Sequence, residues 1–141
     1  MRKVFCLCFI VITVLMCPLV CFAYTQADSN ISLQYVGTRK HVESFALKDG
    51  GVAHIRVYLK PNTKETFDEV KMDIKVTDEK NNSVYSESLI CQYEPLEHSF
   101  LVEKDIKLAS KGTYKMKVTY KCYKNKKLIE TINSPIKTLT Y

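Results

Sequence analysis

Tryptophan is absent from this chain of 141 residues, and arginine occurs only as Arg2, Arg39 and Arg56 among 21 basic residues. The planar guanidinium is the preferred group for bidentate recognition of phosphate and carboxylate, so its scarcity argues against a dedicated phosphate or nucleic-acid site. Without tryptophan the largest stacking platform for sugars is missing, although nine tyrosines remain. No G-x-S-x-G, H-E-x-x-H or phosphate-loop motif occurs. Internal repeats and low-complexity linkers are likewise missing. These absences exclude most dedicated catalytic and nucleotide-binding classes and predict a non-enzymatic protein without cofactor or metal.

What is present begins with an export signal. Met1-Arg2-Lys3 forms a positive start, Val4 to Met16 is uninterrupted apolar sequence, and Cys17-Pro18 breaks it. Cys21-Phe22-Ala23 then places small residues at the third and first positions before Tyr24, a layout that predicts cleavage after Ala23. The alternative is a retained anchor, because Val4 to Ala23 is just long enough to span a bilayer. Membrane contact is expected through that segment alone. The residues around Cys17 and Cys21 do not follow the pattern that lipidation requires, and no sorting motif closes the chain, so release into the extracellular space is the expectation.

Setting residues 1–23 aside leaves residues 24–141 as one domain-sized unit. The formal charge falls from +6 to +4, since Arg2 and Lys3 leave 19 basic against 15 acidic residues. Such a mild balance does not fit a nucleic-acid packager. Of the six cysteines only Cys91 and Cys122 remain. Two thiols in an oxidising compartment are expected to pair; the alternative is two buried, unpaired small hydrophobes. They cannot supply tetrahedral metal ligation alone.

The remaining sequence alternates with period two. Ile31-Leu33-Tyr35, a weaker run at Val42 to Leu47, then Ala53-Ile55-Val57-Leu59 and Val70-Met72-Ile74-Val76 read as strands, separated at Asp49-Gly50-Gly51 and Pro61-Asn62. Tyr85-Glu87-Leu89-Cys91, Phe100-Val102, Ile106-Leu108 and the clearest run, Tyr114-Met116-Val118-Tyr120-Cys122, follow, with Leu128 to Ile132 and Ile136 to Tyr141 at the end. Alternation of this kind buries one face and solvates the other, as in antiparallel sheets. Strands recurring with turn signals predict an all-β sandwich or barrel, here of about 7–8 strands. Helical turns fit only at Thr63 to Glu69 or Glu103 to Ser110.

The run Leu108-Ala109-Ser110-Lys111-Gly112-Thr113-Tyr114-Lys115-Met116 resembles the corner before strand F of immunoglobulin-like and fibronectin III-like domains. There a tyrosine two residues before the inter-sheet cysteine bonds back across the corner. The resemblance implies an immunoglobulin-like antiparallel β-sandwich, with Tyr114 as the corner residue. Met116 stands where that cysteine would be, and the strand at Met72 and Ile74 carries no tryptophan. In the implied topology the ends of the strands bearing Cys91 and Cys122 point the same way, which makes a Cys91–Cys122 bridge feasible.

His41, His54 and His98 have no local spacing to a nucleophile or second ligand and are expected at the surface. Asp68-Glu69 and Asp78-Glu79 sit beside turns, where acids serve the backbone. A lysine stripe is more informative. Lys115, Lys117 and Lys121 project outward from one strand and Lys71 and Lys75 from its expected neighbour, with Lys124, Lys126 and Lys127 in the following turn. Such a face suits an anionic surface polymer or an acidic protein, with Tyr123 and Tyr58 as flat contacts; the competing explanation is a solvated sheet face that resists aggregation, partly neutralised by Asp73 and Glu130. The expected function is a secreted binding module for a cell-surface or extracellular partner. Its alternative is an inhibitor of an extracellular enzyme or host factor, presenting the Lys124–Lys127 and Pro61–Thr66 loops.

Overall fold

The structure, a computed structural model, describes residues 36–141. The expected export segment, the expected cleavage after Ala23 and the expected strand at Ile31 to Tyr35 lie outside the described residues. Among the described residues nine strands are formed: β1 Thr38–Lys48, β2 Val52–Pro61, β3 Glu69–Thr77, β4 Ser83–Cys91, β5 Tyr93–Glu94, β6 Ser99–Lys107, β7 Thr113–Lys124, β8 Lys127–Asn133 and β9 Lys137–Thr140. A single 3-10 turn, Lys64–Thr66, interrupts them among the described residues.

The strands make two antiparallel sheets. One has the order β1-β2-β6-β5; the other has the order β4-β3-β7-β8, with β9 pairing the remaining length of β7. Alternate side chains of β2, β3 and β7 supply the core. Ala53, Ile55, Val57 and Leu59 from β2 are buried with Val70, Met72, Ile74 and Val76 from β3 and Met116, Val118 and Tyr120 from β7. Each such aliphatic side chain contributes about 1.5–3 kcal/mol on leaving water, so this alternation is what holds the sheets together.

Turn chemistry sets the registers. Lys124 pairs with Lys127 across Asn125 and Lys126, both with positive φ (50° and 61°), the two-residue geometry that matches strand twist. Gly50 and Gly51 take φ of 72° and 73° between β1 and β2. The Tyr114 hydroxyl donates to the carbonyl oxygen of Ser110 at 2.7 Å and closes the corner before β7.

Several expectations change in detail. Phe100-Val102 and Ile106-Leu108 are not separate: β6 runs through Ser99–Lys107, so the helical turn allowed at Glu103 does not form. The short strand β5 was not foreseen; it adds two residues at the edge beside Phe100 and Ser99.

The Cys91–Cys122 bridge is the larger correction. Both cysteines are buried and free. Val70 of β3 pairs with Cys91 on one side and Cys122 on the other, so a whole strand separates them. Two strand spacings come to about 9–10 Å, beyond the roughly 7 Å that a disulfide tolerates between Cα atoms. The strand ends do point the same way, but the cysteines are second neighbours in one sheet. Burial pushes both thiols up to about 12.

Candidate binding surface

The outer face of the β4-β3-β7-β8 sheet carries the lysines. The register places Lys71 opposite Lys121, Lys75 opposite Lys117, and Lys115 opposite Thr77. Since β3 and β7 are hydrogen-bonded neighbours, opposed lysines 42 and 50 positions apart in the chain become a two-column patch.

The two ends of the patch differ. At one end the charge is compensated: Lys121 Nζ lies 2.7 Å from Asp73 Oδ2, and Lys71 Nζ lies 3.4 Å from Glu69 Oε1. Lys71 also stands 5.2 Å above the Tyr123 ring. Burial would raise the Asp73 carboxyl, but the Lys121 and Ser88 hydrogen bonds win and hold it below the ordinary carboxylate range. At the other end no described acid forms an ion pair with Lys75, Lys115 or Lys117. Directly opposed like charges cost a sheet stability, and no ion pair among the described residues relieves the Lys75–Lys117 pair.

Around that uncompensated pair the neighbouring strands present hydroxyls. Ser86 pairs with Lys75 and Ser88 with Asp73. Together with Lys117 and Thr119 they line a shallow depression of about 410 Å³. Glu87 lies at its margin, where the Tyr85 hydroxyl donates to its carboxylate and Lys104 sits 3.7 Å away. The Ser88 and Thr119 hydroxyls already donate to Asp73 and Asn133, so the two ammonium groups offer an anion charge and Ser86 a neutral hydrogen bond.

Other parts of the expected site move. Tyr58 pairs with Val42 and Leu101 in the opposite sheet and takes no part in the basic face. Glu130 does not neutralise it either: it lies opposite Cys122 and accepts a 2.8 Å bond from the Thr38 hydroxyl. The Lys124–Lys127 and Pro61–Thr66 loops do share one end. Lys124 ties them, donating to the Glu65 carbonyl at 2.6 Å and to Asp68 at 2.7 Å. Asp68, Asp78 and Glu79 accept backbone N–H groups of Asn125, Asn82 and Thr113 respectively, the role expected of acids beside turns.

One cluster escaped the sequence. His41 does not face solvent as expected: it shares the inward side of β1 with Glu43, opposite Leu59 and Val57 of β2. The Tyr120 hydroxyl donates to Glu43 Oε1 at 2.6 Å, and His41 Nδ1 lies 2.8 Å from the same oxygen. Burial raises the Glu43 carboxyl, yet the bonds from His41 and Tyr120 outweigh it and leave it below the usual value. The signal was available in the weak run Val42 to Leu47: its polar His41 and Glu43 hold the inward parity of Phe45 and Leu47.

No protein-family model matches the chain, and no curated protein matches it either.

Proposed function

We propose that this protein is a secreted, non-enzymatic binding module of immunoglobulin-like architecture that holds an anionic extracellular or cell-surface partner on its basic sheet face. The architecture is inferred from strand order. If β1, β2, β6 and β5 are strands A, B, E and D, then β4, β3, β7 and β8 are C′, C, F and G, the arrangement of immunoglobulin-type sandwiches. Tyr114 then occupies the corner before strand F and makes the bond to Ser110 that the corner requires.

The observation that carries the binding role is the uncompensated pair Lys75–Lys117, with Lys115 beside it. Fold stability alone favours an acid or a neutral residue opposite Lys75. A ligand that brings negative charge removes this penalty, so the pair favours binding over a merely solvated face. The Ser86 hydroxyl completes the donor set. A linear polymer bearing sulfate, phosphate or carboxylate groups fits an open face better than a small solute fits a closed pocket. The inhibitor alternative draws less support, because Lys124 fastens both loops to the body of the domain.

Retention on immobilised polyanion across a salt gradient tests the proposal. The triple variant Lys75→Ser, Lys115→Ser, Lys117→Ser should elute at markedly lower salt than the wild type. A Lys71→Ser, Lys121→Ser variant should shift less, because those charges are already spoken for. Equal elution of wild type and triple variant would overturn the binding face.

A further inference from the structure

The edge strand β4 points to a second copy of this chain. Among the described residues β4 pairs only with β3, so along its other side a nine-residue strand leaves its backbone groups unpaired. Edge strands are commonly protected by lysine, proline or an inward charge, because a bare edge templates pairing with another chain. β4 contains neither lysine nor proline, its one inward charge, Glu87, is met by Lys104, and Val84 and Ile90 on its outer face are 39% and 65% exposed.

The order of residues along β4 selects the partner. About Glu87 the strand is nearly palindromic: Ser86 and Ser88 flank it, then Tyr85 and Leu89, then Val84 and Ile90. An antiparallel pair of identical strands is related by a two-fold axis, and each residue then meets its mirror position. Centred on Glu87, this register sets Ser86 opposite Ser88 of the second copy, Tyr85 opposite Leu89, and Val84 opposite Ile90. Hydroxyl meets hydroxyl, aromatic meets aliphatic and aliphatic meets aliphatic, the cross-strand combinations that stabilise sheets. A one-residue slip would put Val84 opposite Leu89, on opposite faces, and lose the match. We propose that the chain forms a two-fold homodimer by antiparallel β4–β4 pairing centred on Glu87.

The axis brings two Glu87 carboxylates together, and the structure already supplies their compensation. Each has its own Lys104 at 3.7 Å and its own Tyr85 hydroxyl as donor. The axis also runs perpendicular to the joined sheet, so both lysine faces lie on one side. The dimer itself does not depend on the anion-binding role.

Sedimentation of the purified chain over a concentration series, combined with cysteine cross-linking, tests the pairing. Two Glu87→Cys positions face each other at about 4.5–5.5 Å, within disulfide reach. Two Val84→Cys positions lie three residues from the axis on either side, about 20 Å apart. The expected result is a wild-type dimer, a covalent Glu87→Cys dimer on mild oxidation, and no cross-link for Val84→Cys, with thermal melts showing both variants folded. A wild-type monomer throughout the series overturns the proposal. So does a dimer in which Glu87→Cys cross-links no faster than Val84→Cys, since that dimer would use another surface.

Discussion

The Tyr120 hydroxyl reaches across the sandwich to the Glu43 carboxylate at 2.6 Å, joining β7 of one sheet to β1 of the other over 77 positions of sequence. Both groups are buried, so neither can exchange this partner for water without opening the sheets. Tyr120→Phe should lower stability by about 1.5–3 kcal/mol, the range for a hydrogen bond to a charged group, measured by urea denaturation. A cost no larger than that of an exposed tyrosine would mean that the bond carries no such weight.

Glu43 also gives the fold a pH dependence with a definite sign. Its carboxyl is held below the ordinary value by His41 and Tyr120 against the opposing effect of burial. A carboxyl with a lowered folded-state value stabilises fully above its unfolded value, about 4.3, and loses that contribution as pH falls through the folded one. Several aspartates, Asp68, Asp73, Asp78 and Asp105, are lowered too, so acid destabilises the whole domain. The Glu43 share is isolated by comparison with Glu43→Gln. The stability gap between the two proteins should be widest near neutral pH and shrink below about pH 4. A gap that stayed constant to acid would contradict the assignment.

The opposed pair Lys75–Lys117 predicts that binding and stability trade against each other. Lys117→Glu turns a like-charge cross-strand pair into an ion pair, which should raise stability by about 0.2–1 kcal/mol. The same change should shift polyanion retention to lower salt. Thermal melting and the salt gradient measure the two effects on one variant, and a loss of stability would remove the strain on which the binding role rests.

Cys91 and Cys122 should behave as inert thiols. Both are buried, unpaired and pushed up to about 12. Since the thiolate is the reactive form, native alkylation at pH 8 should be slow at both positions. Both should alkylate after denaturation without any reductant, as read by mass spectrometry of the peptides that contain them. A tryptic pair linked by a disulfide would show that the sheet rearranges to bring them together.

Lys126 occupies the left-handed region at φ 61° in the turn between β7 and β8. A side chain there costs about 1 kcal/mol that glycine avoids. Lys126→Gly should therefore stabilise the turn by a few tenths to 1 kcal/mol, and a decrease would imply that the Lys126 side chain makes a compensating contact.

Much of the strand framework was legible because an antiparallel sheet with one wet face writes itself as alternation. β2, β3 and β7 were found nearly whole for that reason, as were the outward lysines of β3 and β7. β1 read faintly, since His41 and Glu43 occupy inward positions and interrupt the apolar pattern. β5 left no trace at two residues.

Local rules acting along the chain were enough to determine the strands, the turns and the parity of each side chain. The Tyr114 corner belongs with them, since its partner is only four residues away. Which strands lie side by side was decided by the tertiary structure alone, because pairing depends on how whole faces pack. That decision inserted β3 between Cys91 and Cys122 and ruled out their bridge. It set Lys75 against Lys117, and it delivered Tyr120 to a glutamate that no pattern along the chain could have linked to it.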